Sequence, residues 1–242
     1  MSTGVRRAVP SDQERHRAAT YDAIITAART LLAQGRGLTL RGVAAEMGAS
    51  PAGLYRYVAH LDELRDLVAA SIDEALRADL AATVAAVGPD QPTGRWLVAW
   101  IRLRRWALAH PDEFGLVMTR PRTGRTPPCE LTNVLLGECL RSLTTHHGVR
   151  IPPVPTAVEP ALVELTRRSG PDGWSPALNW LNVRVLASLH GVVTLEVTGY
   201  LEPALVKEAA VFRTTVVEWL ARLVRPDELG ALLAVLDAEL AR

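Results

Sequence analysis

Apolar residues recur along this chain at i, i+3 and i+4 spacing, and no stretch sustains the period-2 alternation of a strand. The pattern therefore predicts an all-α protein. Prolines fall between the periodic segments or at their first positions, where the missing N–H costs nothing. Ser11-Asp12-Gln13-Glu14 has the spacing of a capping box, so a first helix is predicted from there to about Gln34, with Ile24, Ala27, Ala28 and Leu31 facing inward. Thr39 offers a hydroxyl cap to a short second helix over 40–47, which Gly48 closes. Ser50-Pro51 opens a third helix that reaches about Val58, and a long fourth begins near Asp62. Later helices are predicted at 93–109, 111–119, 128–146, 156–168, 176–200, 203–224 and 226–240, joined by surface loops rich in Pro, Gly, Arg and Thr.

The second and third helices have a chemistry of their own. Leu40, Val43, Ala44 and Met47 give the second an apolar face, and Ala44 is small where two helices must approach closely. Gly48 supplies the positive φ of a tight turn. In the third helix Leu54 and Val58 point inward, which leaves Ala52, Gly53, Tyr55, Arg56 and Tyr57 outside. Small residues followed by Tyr-Arg-Tyr suit a helix that enters a major groove.

Charge sharpens this reading only locally. The 242-residue chain has a net charge of +1, but residues 1–57 carry eight arginines against four acids. Residues 1–17 form a basic arm without the apolar stretch of a secretory signal, and no run approaches the ~20 apolar residues of a membrane span. The expected compartment is the cytoplasm, with no membrane partner. Cys129 and Cys139 are too few for a disulfide scaffold. The sequence lacks a Gly-rich phosphate loop, a G-x-S-x-G elbow and an H-E-x-x-H helix, so neither enzymatic activity nor a cofactor is expected. His146 and His147 are adjacent and so point apart on a helix. With Cys129, Cys139 and Glu130 they form only a loose metal-sensor grouping, and no metal ligands are assigned.

Thr39 to Val58, read as Thr-Leu-Arg-Gly-Val-Ala-Ala-Glu-Met-Gly-Ala-Ser-Pro-Ala-Gly-Leu-Tyr-Arg-Tyr-Val, resembles the helix-turn-helix of TetR-type (TetR/AcrR) transcriptional regulators. The likeness covers roughly residues 20–67. It departs from the family pattern at Val58, usually Phe, and at Leu61, where a phosphate-binding Lys commonly stands; His60 lies beside it. Segments 104–114 and 187–199, the latter containing His190-Gly191, resemble a subgroup with a WHG-type carboxy-terminal domain, although no Trp precedes His190.

This resemblance implies a division into an arm (1–17), a DNA-binding domain (18–67) and a helical ligand-binding and dimerisation domain (68–242). The expected DNA-binding set is Thr39, Arg41, Ser50, Pro51, Ala52, Gly53, Tyr55, Arg56, Tyr57 and His60, with Arg6 and Arg7 of the arm; Arg15 and Arg17 also belong to the basic stretch. Tyr57→Ala is expected to weaken operator binding and leave dimerisation intact. The resemblance also implies an inducer cavity in the middle helices. The aromatic stripe suggests Trp96, Trp100, Arg104, Phe114, Met118, Trp180 and Arg184 for it, an Arg beside two Trp being awkward to bury without a partner.

The long apolar stripes of 176–200 and 203–224 predict a four-helix interface between two copies. Its expected residues are Val185, Leu189, Val192, Val193 and Glu196 on one helix, and Phe212, Val216, Trp219, Leu220 and Leu223 on the other. Gly191 within the first costs up to ~1 kcal/mol, for which close helix approach is a reason. Together these features point to a homodimeric repressor released from double-stranded operator DNA by a small, mostly apolar inducer. The competing reading is a helical interaction protein, or a metal sensor, whose first three helices only resemble the motif. Salt-dependent binding to DNA separates the two.

Overall fold

The first helix starts where side chains satisfy its free N–H groups. In the computed structural model, which describes residues 11–118, 130–169 and 174–242, Ser11 Oγ accepts from the Glu14 N–H at 3.3 Å and Glu14 Oε2 accepts from the Ser11 N–H at 2.7 Å. This capping box opens α1 (Asp12–Ala33). Thr39 and Ser50 do the same for two short helices, α2 (Leu40–Glu46) and α3 (Pro51–Leu54), accepting from Gly42 N–H at 2.9 Å and Gly53 N–H at 3.1 Å. Ile24, Ala28, Leu31, Val43, Ala44, Leu54 and Val58 close over one another as the core of this unit.

A 25-residue α4 (Leu61–Ala85) then leads into the body. There α5 (Pro92–Ala109) is buried on most of its sides, from Trp96 and Leu97 to Trp106 and Ala107, with Arg104 among the enclosed residues. Such a helix must be surrounded, and α5 accordingly packs against α4, α6 (Pro111–Met118), α7 (Glu130–His147), α9 (Pro176–Val197) and α12 (Pro226–Leu240). α8 (Glu159–Ser169) lies on α9, and α11 (Ala210–Leu223) joins α9 to α12 through their apolar faces. The described residues are thus all helical or irregular, with no strand and no helix long and apolar enough to cross a membrane.

Two elements differ from the sequence expectation. The third helix ends at Leu54 rather than running to Val58; Tyr57 N–H and Val58 N–H both bond back to Leu54 O, so a tight turn still delivers Val58 inward. The segment expected as one helix over 203–224 is two, α10 (Pro203–Lys207) and α11, broken at the buried Ala209, whose φ is 49°. Left-handed backbone is costly for alanine. Part of the compensation is tertiary: Arg104 donates to Val206 O at 2.6 Å, a second bond to the carbonyl that also accepts from Ala209 N–H at 3.0 Å, and so pins the backbone at the break.

α7 receives its N-terminal cap from another helix. Asp73 of α4 is 5% exposed, and its carboxylate accepts from Leu131 N–H (3.0 Å), Thr132 N–H (3.1 Å) and the Thr132 hydroxyl (2.6 Å). Asp73→Ala strands these donors and removes a charge favourable to the helix dipole, so a loss of about 2–3 kcal/mol is expected. Asp73→Asn, which keeps one acceptor, is expected to recover part of it. Urea unfolding followed by circular dichroism measures both; an alanine variant within ~0.5 kcal/mol of the parent would show that the cap carries no weight.

Candidate nucleic-acid interface and buried regulatory core

α1 packs on α2 and α2 on α3, with Gly48 at φ 65° making the turn between the last two. Because Leu54 and Val58 are 3% and 1% exposed, the opposite side of this segment faces out. Arg41, Ser50, Pro51, Ala52 and Arg56 are exposed there and Tyr55 is 52% exposed, while Gly53 is half-buried. Thr39 and Ser50 spend an acceptor lone pair on their caps. Among the described residues Arg36 pairs with Glu46 and Arg65 with Asp62, whereas Arg41 and Arg56 enter no ion pair. Exposed His60 lies 3.7 Å from Glu63, and Leu61 packs half-buried on the core.

Tyr57 departs from the expected outward position. It is half-buried, with its ring edge-on to Tyr21 at 5.7 Å and its carbonyl accepting from the Tyr21 hydroxyl at 3.3 Å. Arg17 in turn donates to the Tyr21 hydroxyl at 3.3 Å and lies over that ring. A cation near the start of α1 is thereby held beside the third helix, a juxtaposition that sequence spacing did not reveal. Arg6 and Arg7 lie outside the described residues.

The body holds its polar groups inside. Arg104, 7% exposed, forms a bidentate pair with Glu196 (2.7 and 3.1 Å) and stacks over Phe212. Burial raises the Glu196 carboxyl above its ordinary range, opposed by the hydrogen bonds and charge of Arg104. The partner anticipated for Arg104 is therefore a residue of the same chain, and its guanidinium is not a free anchor for a ligand.

Trp96 and Trp100 are buried as expected, at 0% and 1% exposed, and neither indole N–H has a partner among the described residues. His190, which sequence reasoning used only as part of a motif, sits edge-on to Trp100 at 5.2 Å with its Nε2 buried and unpartnered. The signal available was a histidine inside an apolar helix. Phe114 packs instead against Trp106, Met118 and Trp180 are half-buried, and Arg184 is exposed over Trp219. The structure thus brings Trp96, Trp100 and α9 together, and leaves Arg184 outside.

Burial pushes His190 down from 6.5 to about 4. The unfolded chain takes up this proton first, so the histidine costs no stability above pH 6.5 and an increasing amount as pH falls from there toward 4. At about 1.4 kcal/mol per unit the loss reaches roughly 3 kcal/mol. His190→Phe is expected to flatten that acid limb in urea titrations; an unaltered limb would contradict it.

The residues expected between two copies are covered within one chain. Val185, Leu189, Val193, Glu196, Phe212, Val216, Trp219, Leu220 and Leu223 are 0–5% exposed and Val192 is 9%. Side chains enclosed by their own helices do not reach a second molecule, which corrects that assignment. The outer face of α9 instead carries Arg184, Ala187, Gly191 and Leu195, beside Val183.

A surface depression of about 450 Å³ lies beside the end of α7, lined by residues including Arg141, Thr144, Val149, Ile151 and Leu178, and none of the tryptophans.

Residues 96–219, just over half of the chain, match the family described as tetracyclin repressor-like, C-terminal domain. The crystal structure of SCO4313, named for a regulatory role, is similar with a TM-score of 0.60 at 24% identity, covering 88% of this chain and 100% of that one; at this identity the likeness concerns the fold. No curated protein matches the chain.

Proposed function

The chain belongs to the tetracyclin repressor-like family of regulators, and on that premise we propose that it is a homodimeric repressor that leaves its operator when a small, mostly apolar ligand enters the body. Residues 18–67 form the reading unit in this proposal and residues 68–242 the regulatory one, with the protein acting in the cytoplasm.

The observation that carries the DNA reading is the exposed edge of the third helix and of the turn that follows it. Ala52 and Gly53 allow close approach to the duplex, while Tyr55 and Arg56 are exposed and Arg56 enters no ion pair among the described residues. Arg56 and Arg41 suit base edges and phosphates, His60 and Arg17 the flanking backbone, and Arg6 and Arg7 the minor groove or backbone. Thr39, Ser50 and Pro51 then set the backbone close to phosphates.

Gly191 supports the dimer. A Cβ there would meet nothing within 4 Å among the described residues, so its helix penalty finds no reason among them. A second copy laid along Ala187, Gly191 and Leu195 supplies that reason.

The ligand reading rests on the buried nitrogens of Trp96, Trp100 and His190 (Nε2), none of which has a partner among the described residues. Each such group costs about 1–3 kcal/mol, which a ligand carrying a carbonyl or ether oxygen offsets for the indoles. Met118 and Trp180 stand as secondary candidates at the margin.

A mobility-shift titration of the full chain against the DNA upstream of its own gene tests the first step. The expected result is specific binding whose affinity falls steeply and linearly in log–log form with salt. Absent or salt-independent binding refutes the proposal.

A further inference from the structure

At the carboxyl end of α7 the chain places two imidazoles and a carboxylate together. His146 and His147 are the last two residues of that helix, and their rings meet nearly perpendicular at 4.8 Å. Glu228 enters from the first turn of α12. The donor atoms of the three side chains all lie within 4.8 Å of one another. Adjacent histidines do point apart on a helix, but at its last turn their rings still converge.

His147 is the informative member. Its side chain is 1% exposed and its Nδ1, 3.9 Å from Glu228 Oε2, has no hydrogen-bond partner. Its Nε2 lies 2.8 Å from the buried Thr93 hydroxyl. The gap between Nδ1 and the carboxylate oxygen is too long for a hydrogen bond in either tautomer of the ring, and in the tautomer whose Nε2–H donates to Thr93 the Nδ1 lone pair faces that oxygen. Two electron-rich atoms in that arrangement repel each other unless a cation stands between them.

We propose that His146, His147 and Glu228 bind one divalent transition-metal ion, zinc being the best fit to two imidazoles and a carboxylate, and that this ion ties the end of α7 to the start of α12. A tetrahedral ion with ligands at about 2.0–2.1 Å spaces them about 3.3–3.4 Å apart. The side chains therefore close by roughly an ångström, most easily through exposed His146. Thr93 fixes the ring of His147 from behind, as an outer partner orients a ligating imidazole. The carboxyl end of α7 also favours a cation.

The surrounding charges are mixed. Arg225 pairs with one oxygen of Glu228 and leaves the other, and Asp227 adds an anion nearby. Burial, with the charges of His146 and Arg225, holds His147 below its ordinary value against the opposing carboxylates, so the ring is neutral at physiological pH. Glu228 is held ionised chiefly by Arg225. Both are the ligating forms. The cysteine route considered from sequence does not contribute: burial pushes Cys139 up to about 11, and Cys129 lies outside the described residues.

The proposal is independent of operator binding and is tested without DNA. Full-length protein, freed of metal by chelation, is titrated with Co²⁺ followed by visible absorption, and with Zn²⁺ by calorimetry. One ion per chain is expected, with ligand-field bands of a four- or five-coordinate site. His146→Gln and Glu228→Gln are each expected to weaken binding at least tenfold, and Cys139→Ala to leave it unchanged. Zn²⁺ is expected to raise the melting temperature of the parent but not of His146→Gln, whose metal-free form melts with the parent because His146 is exposed. No binding up to ~100 μM ion, or binding that survives both ligand substitutions, overturns the proposal.

Discussion

Glu196→Ala is expected to lower the melting temperature of the protein by about 6–20 °C. Removing one partner of a buried ion pair leaves the other charge unpaired at a cost of about 3–5 kcal/mol, and for a chain of this length each kcal/mol moves the midpoint by about 2–4 °C. Here the abandoned group is Arg104, 7% exposed, which retains only Val206 O and the face of Phe212. An always-charged guanidinium has no way to neutralise itself.

The reciprocal change behaves differently. In Arg104→Met the stranded group is a carboxyl that burial already raises. It gains a proton as pH falls, so the folded state binds protons more tightly than the unfolded one. Stability in that variant is expected to be greatest in acid and to decline as pH rises from the ordinary carboxyl range through the raised folded value. The double variant Arg104→Met with Glu196→Leu, which removes both charges, is expected to recover most of the loss. A double-mutant cycle by differential scanning calorimetry reads all three. Additive losses would mean that the two residues do not act as a pair.

Arg56→Ala is expected to weaken operator binding at least about thirtyfold while leaving stability and dimerisation unaltered. A side chain reading a base edge contributes about 1–3 kcal/mol per site, and a two-fold dimer loses it twice. Arg56 is exposed and outside any ion pair among the described residues, so its truncation disturbs nothing in the fold. Tyr55→Ala, at 52% exposure, is expected to act in the same direction with a smaller effect. Tyr57→Ala differs because its ring meets Tyr21; some of its effect is expected to register as lost stability. Fluorescence anisotropy on labelled operator, beside sedimentation and thermal melts, separates these outcomes. Equal affinity of parent and Arg56→Ala would remove the third helix from the groove.

The parts of the fold legible in sequence were those decided locally. The capping box at Ser11, the hydroxyl caps at Thr39 and Ser50 and the left-handed Gly48 each depend on neighbours within a few residues, and each stands where expected. The break at Ala209 was not legible, because part of what offsets it comes from Arg104, about a hundred positions away. The apolar stripes of α9 and α11 were correctly seen as buried, yet periodicity states that a face is covered and not by what. The neighbours proved to be helices of the same chain. Glu196 illustrates the same limit: it was expected between two copies, and only the fold discloses that it is the partner Arg104 needed.

The cap that Asp73 places on α7 makes α4 a lever with a marked fulcrum. Leu61, within the reading unit, lies twelve residues before Asp73, a lever arm of about 18 Å at 1.5 Å per residue. A tilt of only about 5° about the capped point carries the Leu61 end through about 1.6 Å. Hydrogen bonds to base edges tolerate a few tenths of an ångström. In the proposed complex with DNA, a rotation small enough to keep the Asp73 cap intact is thus large enough to spoil the grip expected of the third helix. The bidentate clasp of Arg29 on Glu113, between α1 and α6, gives a body-side movement a second place to pull.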